Sequence, residues 1–352
     1  MARIGVNALY LIPGAVGGTE IYLRNLLNAL AEIDGHNQYV VFTNAETGSD
    51  LIPKQANFMQ AAQPVRARFR PWRILWEQTA LPLAVKRHRI EVLFNPGFTA
   101  PICSPCTSVT VFHDLQHKRH PEHFRWFDLP FWRLLLWASA RSSTRLIADS
   151  ASTRNDLKHF YGVRAEVVHL GVESRFFEIA AHREPKDYIL CVSTLHPHKN
   201  LDRLLRAHSR DPRLPDLVIT GLKGFAAKEI EKLADRRVRI TGWIPRDELY
   251  DLYRCARAFI YPSTFEGFGL PVLEAMAARI PLACSDIPPL REIGGRTISY
   301  FDPLDETAIG SALRRLVAPP DHALVAAAHQ RAAEFTWEKT ARKTLDILLS
   351  EI

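Results

Sequence analysis

The sequence has little cysteine: 5 residues in 352, scattered along the chain. That is too few for a disulfide framework and reads as a reducing compartment. It has no long apolar run. The longest, Leu129 to Ala140, is broken by Arg133 and falls short of the ~18 residues a membrane-spanning helix needs. The start of the sequence, Met1 to Asn7, does not read as a signal peptide, because Asn7 and Pro13 interrupt its apolar stretch. There is no internal repeat at fixed period, no low-complexity tract and no G-x-G-x-x-G. What remains is ordinary, with 47% hydrophobic and 24% charged residues, and excludes a disordered tail, a collagen and a coiled coil. At roughly 100–200 residues per domain the length favours two domains, each able to bury a core without staples.

The net charge is +7 and is unevenly placed. Residues 1–170 hold 19 Lys/Arg against 13 Asp/Glu, and residues 171–352 hold 26 against 25. A basic half attracts phosphates, nucleic acids or anionic membranes. On charge alone a generic solvated surface is the simpler reading, and no nucleic-acid motif accompanies the excess.

Short apolar runs alternate with helical periodicity. Residues 4–8, 39–42, 92–94, 108–112 and 146–148 read as strands, with helices over 21–30 and from 150 to about 160. A second series has strands at 188–192, 217–220, 238–241, 258–261, 282–284 and 298–301. Helices near 200–209, 225–234, 246–255, 271–279 and 305–316 separate them. Such alternation implies parallel sheets covered on both faces, here two doubly wound Rossmann-like α/β domains over 1–170 and 186–335. Residues 171–185 show no clear periodicity and read as the boundary. Trp337–Leu349 is a lone amphipathic helix, expected as a crossover element (336–352) packing back on the first domain.

The most informative stretch is Ser263-Thr-Phe-Glu266-Gly-Phe-Gly-Leu-Pro271-Val-Leu-Glu274. A strand ends, a glycine-bearing loop follows, and Pro271 takes a first-turn helix position. Gly267 and Gly269 let the backbone approach a ligand, and the helix N-terminus faces an anion. A plain strand–turn–helix connection explains Pro271 and Glu274 but not Glu266-Gly-Phe-Gly. A carboxylate beside an anion site makes sense for a ligand that also presents hydroxyls, as a sugar does. Gly14-Ala-Val-Gly17-Gly18-Thr-Glu20 is a glycine-rich turn opening a helix, a weak phosphate signal by itself. His113-Asp114 ends a strand, where doubly wound domains place ligands. Ser193-Thr-Leu-His-Pro-His-Lys199-Asn200 follows the first strand of the second domain.

The Glu266-to-Glu274 segment resembles the E-x7-E motif of retaining glycosyltransferases with the GT-B fold, two Rossmann-like domains facing a cleft, and specifically glycosyltransferase family 4, the glycosyl transferases group 1 class. The resemblance implies that Glu266 contacts hexose hydroxyls, that Phe268-Gly269-Leu270 bind sugar and phosphate, and that Glu274 binds the ribose. It places Gly17 and Gly18 on the donor diphosphate and His113, with Asp114, on the donor sugar. Ser193, Thr194 and Lys199 match the family's G-T-L-x-P-R-K-N, with Lys199 on the diphosphate. Thr241-Gly242-Trp243 matches the stretch that reads the nucleobase, although Trp243 fits core packing equally well. Ser193 and Arg279 stand where the family has glycine.

The expectation is a retaining hexosyltransferase with Glu266, His113 and Lys199 as catalytic residues. Its co-substrate is a nucleotide sugar and its acceptor a glycan or lipid-linked glycan. GDP-mannose is the first reading of the donor and a UDP-hexose the second, because His113-Asp-Leu-Gln-His117 and Pro121-Glu-His-Phe124 look like bacterial mannosyltransferases of polysaccharide and O-antigen assembly. No divalent metal is expected: the chain lacks Asp-x-Asp. His117, His120 and His123 read as surface or acceptor-side residues, with no Cys or carboxylate set to complete a metal site, and Cys103-Ser-Pro-Cys106 lacks the partner pair of a zinc site. The rivals are a nucleotide-sugar epimerase of the same fold, a nicotinamide-dependent dehydrogenase, disfavoured by the missing glycine fingerprint, and a non-catalytic binder.

Arg66, Arg68, Arg70 and Arg73 interleave with Trp72 and Trp76, and Arg125 and Arg133 with Trp126, Trp132 and Trp137. This mixture predicts peripheral attachment of a cytoplasmic protein to the inner face of the cytoplasmic membrane. Core tryptophans and solvated arginines are the competing reading.

Overall fold

The structure, a computed structural model, describes residues 1–14 and 17–350. Backbone contacts divide it into two units, Val172–Thr336 and the remainder. In the first unit the elements are β1 (Arg3–Ala8), α1 (Gly18–Ile33), β2 (Gln38–Thr43), β3 (Phe58–Ala62), α2 (Arg70–Arg87), β4 (Val92–Asn95), β5 (Thr107–Phe112), α3 (Gln116–Arg119), α4 (Leu129–Ser142), β6 (Arg145–Ala148), α5 (Ala151–Tyr161) and β7 (Glu166–Val167). The seven strands are parallel in the order β3-β2-β1-β4-β5-β6-β7. Their apolar runs follow from burial on both faces. Right-handed crossovers put α2, α4 and α5 on one face and α1 on the other. Leu81 and Val85 of α2 pack on Val40, Phe42 and Leu93, while Leu136, Ala140 and Leu157 pack on Phe112 and Ala148.

The second unit runs α6 (Ser174–Ala181), β8 (Lys186–Val192), α7 (Leu201–Ser209), β9 (Asp216–Thr220), α8 (Ala227–Leu233), β10 (Val238–Gly242), α9 (Arg246–Cys255), β11 (Ala256–Tyr261), α10 (Leu270–Ala277), β12 (Leu282–Ser285), α11 (Pro288–Gly294), β13 (Ser299–Phe301), α12 (Glu306–Val317) and α13 (His322–Ala332). Its strands are parallel in the order β10-β9-β8-β11-β12-β13. The core between this sheet and α7, α8 and α12 holds Leu204, Leu205, Ile219, Ile260 and Leu313. Residues 171–185 carry α6, whose buried Phe176 and Ile179 belong to this unit.

A final helix, α14 (Trp337–Leu349), returns to the first unit and lies along α1. Its buried face includes Trp337, Ala341 and Leu348, and Trp337 packs 6.1 Å from the ring of Tyr22. Thr340 Oγ1 donates to His169 O at 2.8 Å. Among the described residues no helix is long and apolar enough to cross a membrane.

Candidate active site

Both sheets reverse their strand order once, β1 beside β4 and β8 beside β11. Carboxyl strand ends at such a reversal are where open α/β sheets hold ligands. In the second unit, Lys199 follows β8 and Glu266 follows β11, so the two flank that point. Asn200 fixes the first loop: in a left-handed conformation (φ 57°), its Nδ2 donates to Pro262 O at 3.0 Å and Pro303 O at 2.7 Å. The second loop is tied to the first through Ser263 Oγ and Thr264 N, which donate to His198 O at 3.1 and 2.8 Å. Lys199 Nζ thereby reaches Glu266 Oε1 at 2.6 Å and the Tyr261 hydroxyl at 3.2 Å. Both charged side chains are nine-tenths shielded, at 13% and 11% exposure. Burial, then the Glu266 carboxylate, pushes the Tyr261 hydroxyl well above its ordinary range, so it stays a neutral donor.

Gly269 begins α10 at φ 117°, and a Cβ there would stand 2.4 Å from Leu290 Cδ2, so only glycine lets this turn close on its neighbour. Phe268 is buried and its ring packs edge-on against Phe335, and Leu270 is half-buried as the first residue of α10. Glu274, one turn along, is buried. Its Oε1 accepts from Arg246 Nη2 at 3.0 Å and its Oε2 from the Tyr253 hydroxyl at 2.7 Å. Burial outweighs the opposing Arg246 and Tyr253, so the Glu274 carboxyl is raised above its ordinary value. Arg279 ends the helix at φ 54°, and Arg183 Nη1 donates to its carbonyl at 2.7 Å. A left-handed turn is therefore what a glycine at this position would serve, and here arginine carries it.

Ser193 N donates to Thr220 O at 2.8 Å, joining β8 to β9 at their ends, and Ser193 Oγ donates to Thr194 O at 3.1 Å. Thr241 Oγ1 donates to Thr220 Oγ1 at 2.8 Å, and Gly242 turns with φ 74°. Trp243 is 57% exposed, so its ring is a surface group and not core.

In the first unit, Gly17 caps α1 at φ 61°, and the Cβ positions of Gly17 and Gly18 face open space. Glu20 folds the loop back: its Oε2 accepts from Gly14 N and its Oε1 pairs with Arg24, both at 2.8 Å. Ala15 and Val16 of this loop lie outside the described residues.

His113, just past β5, donates from Nδ1 to Asp149 Oδ2 at 2.6 Å and from Nε2 to Pro96 O at 2.9 Å. Two acceptors call for two N–H groups, hence the imidazolium. Burial lowers its pKa, but Asp149 outweighs that and the net direction is upward. Asp149 Oδ1 has no hydrogen-bond partner among the described residues. Asp114 Oδ1 accepts from Gln116 N at 2.9 Å and fixes the turn into α3. Because the His113 value is raised on folding, the pair contributes stability that is full below the ordinary histidine pKa of about 6.5 and is lost as pH climbs through the folded value. Asp149→Asn keeps the shape and removes the charge. Thermal melts of both proteins between about pH 6 and 9 should show a smaller pH dependence in the variant; parallel curves would mean that His113 is not charged at neutrality.

Two readings of the histidine segment are corrected. His117 is not a surface residue: it is buried against Tyr161, whose hydroxyl meets Nε2 at 2.5 Å, and burial pushes its pKa down to about 4. A carboxylate does join the other two: the ligand atoms of His120, Glu122 and His123 lie within 4.8 Å of one another. The rings of His120 and His123 stack 12° from parallel, and His120 Nδ1 meets Glu122 Oε1 at 2.9 Å. Arg73 also departs from the expected basic surface. It is buried in an ion pair with Glu77, 3.3 Å away.

Asp149, Tyr261, Arg246 and Glu173 make side-chain contacts in this candidate site, and the sequence singled out none of them. Asp149 was visible only as part of a helix cap and Arg246 only as a helix start.

Family models match both halves of the chain. "Glycosyltransferase Family 4" matches residues 16–176 and "Glycosyl transferases group 1" matches 172–331. O-antigen chain mannosyltransferase B of Escherichia coli is 28% identical over 292 residues, 75% of each protein. O-antigen chain mannosyltransferase RfbU of Salmonella typhimurium is 28% identical over 265 residues, 72% of this chain and 73% of that one. The solved sucrose-phosphate synthase of Thermosynechococcus elongatus matches with a TM-score of 0.80 at 18% identity over 99% of each chain, a likeness of fold. With two parallel-sheet Rossmann-like units of the GT-B kind and the two models together matching residues 16–331, the chain belongs to glycosyltransferase family 4, the glycosyl transferases group 1 class, and is a glycosyltransferase.

Proposed function

We propose that the protein is a retaining, metal-independent mannosyltransferase that uses GDP-mannose and extends a glycan or lipid-linked glycan. The observation that carries the reading is the Lys199–Glu266 pair at the switch point of the second sheet. An ammonium suits a diphosphate and a carboxylate suits sugar hydroxyls, so one nucleotide sugar satisfies both partners. Mannose rests on the names of the two O-antigen relatives; a UDP-hexose is the second reading.

In the reaction the acceptor oxygen bonds to the anomeric carbon on the face the diphosphate leaves. The carbon–oxygen bond breaks with its electron pair passing to the diphosphate, and the acceptor proton goes to the departing phosphate oxygen. Lys199 and the N-terminus of α10 stabilise the charge that develops there. Glu266 holds the hexose and Glu274 the ribose. His113 orients the sugar by exchanging Pro96 O for a sugar oxygen at Nε2–H. Gly17 and Gly18 offer amides to the diphosphate, and the Gly242–Trp243 turn reads the base. With Lys199 and amides as counter-charge, and no Asp-x-Asp to hold an ion, the step needs no divalent cation.

The test is nucleotide release from GDP-, UDP-, ADP- and dTDP-sugars with and without acceptor, in excess EDTA. Acceptor-dependent release from GDP-mannose that persists in EDTA is expected. Loss restored by Mg²⁺ or Mn²⁺ would end the metal-free reading, and turnover without acceptor would favour the epimerase.

The first unit is proposed to dock on the inner face of the cytoplasmic membrane through α2 and α4. The two helices are bridged by the Ala100 segment: Gln78 Nε2 donates to Ala100 O at 3.0 Å and Ala100 N donates to Ser139 Oγ at 3.2 Å. Their outer faces expose Trp72 and Leu75 on α2, Phe131, Leu134 and Trp137 on α4, and Ile102 on the segment that bridges them. Trp126, just before α4, is 84% exposed. Trp76 and Trp132 are instead packed on the cores beneath.

A further inference from the structure

Arg246 opens α9 where the turn after β10 ends. Its guanidinium lies between the rings of Phe176 and Tyr250, 5.3 and 5.2 Å from their centroids. From there Nη2 reaches two carboxylates, Glu274 Oε1 at 3.0 Å and Glu173 Oε1 at 2.5 Å. The Tyr250 hydroxyl donates to the other oxygen of Glu173. Glu173 directly precedes α6, so three separate segments of the second unit meet on one cation.

Two carboxylates share one positive charge, and the cluster keeps a net negative charge. That balance is unusual for a side chain as enclosed as Glu274, which is 5% exposed. A carboxylate cut off from water and left alone takes up a proton instead of staying charged. A protonated Glu274 would present a donor where a vicinal diol needs acceptors. Arg246 on one oxygen and Tyr253 on the other oppose that uptake and fix the carboxylate in rotation. Each oxygen still has a lone pair for a hydroxyl.

We infer that Arg246 is a positioning residue for the nucleotide ribose: it holds Glu274 as an oriented anion that accepts from the 2′- and 3′-hydroxyls, and Glu173 holds Arg246. This rests on the reading of Glu274 as the ribose ligand. The competing role for Arg246 is a staple joining α6, α9 and α10, which would act on folding and treat all nucleotides alike.

The experiment compares calorimetric affinities for GDP and 2′,3′-dideoxy-GDP, or the UDP pair if UDP binds the wild type more tightly. Wild type, Arg246→Met, Arg246→Lys and Glu274→Gln are used, each with its melting temperature. Wild type should prefer the ribose nucleotide about tenfold or more, as expected for hydrogen bonds to a charged group. Glu274→Gln should erase that preference. Arg246→Met should reduce it to within about threefold while leaving the dideoxy affinity near wild type, and Arg246→Lys, which keeps the charge without the fork, should fall between. An Arg246→Met protein that keeps the full preference, or loses affinity for both nucleotides equally, overturns the inference. If Arg246→Met does not fold, full preference in Arg246→Lys overturns it. A preference that survives in Glu274→Gln overturns the ribose reading itself.

Discussion

Glu266→Ala is expected to abolish transfer while a nucleoside diphosphate binds as well as before or better. In the resting protein Glu266 holds the ammonium of Lys199 at 2.6 Å. A diphosphate has to draw Lys199 from that carboxylate, and without Glu266 the lysine has no such competitor. The hexose, by contrast, loses the acceptor that orients it over the leaving group. A hydrogen bond to a charged group contributes about 1.5–3 kcal/mol, equivalent to about 10- to 150-fold in rate, and misplacement of the reacting carbon adds to that. Glu274→Ala should act differently and weaken the free nucleotide. Calorimetry with nucleoside diphosphate and initial rates on both variants separate the roles; equal weakening by the two changes would contradict the assignment.

Membrane docking should depend as strongly on the aromatic ridge of the first unit. Trp126 and Phe131 are 84% and 49% exposed, and Arg125 and Arg141 lie over the rings of Phe127 and Trp137. An apolar surface of this kind on a monomer marks an interaction face. Burying a large apolar side chain contributes about 1.5–3 kcal/mol, and each basic residue near an anionic surface about 1 kcal/mol. The double change Trp126→Ser with Phe131→Ser should lower binding to phosphatidylglycerol-containing vesicles about 100-fold without altering the melting temperature, because neither ring is in a core. Co-sedimentation at low and high salt, with phosphatidylcholine vesicles as the neutral control, measures this. No wild-type binding to anionic vesicles at low salt would end the proposal, and binding indifferent to salt would remove its electrostatic part.

The two sheets were legible because strands buried on both faces read as apolar runs; of the thirteen strands among the described residues eleven show in the sequence, the partly exposed β10 by its alternating Val238 and Ile240. The other two lie at one sheet's edges. Phe58–Ala62 has two of its five residues exposed and Glu166–Val167 is two residues long, so neither presents such a run. Helix α2 escaped notice because Pro82 sits inside it and the buried Arg73 and Glu77 blur its apolar stripe. Helix α6 was too short for its period to register. In the candidate site, the residues that the sequence nominates are carried by contiguous motifs: Glu266 and Glu274, the Lys199 loop and the His113 strand end. Their partners were not, because those contacts span the chain. His113 and Asp149 are 36 residues apart, Arg246 and Glu274 28, and Arg246 and Glu173 73. Only the fold decides which distant side chains meet.

The return of α14 to α1 has a bearing on the order in which the protein is made. The first unit to leave the ribosome is not the first that can be finished. Until residues 337–349 emerge, Tyr22 and its neighbours on α1 lack their cover, while every residue of 172–336 has already been synthesised. The nascent chain therefore carries an unfinished amino-terminal half through the whole translation of the other, and the last helix closes a unit begun more than three hundred residues earlier.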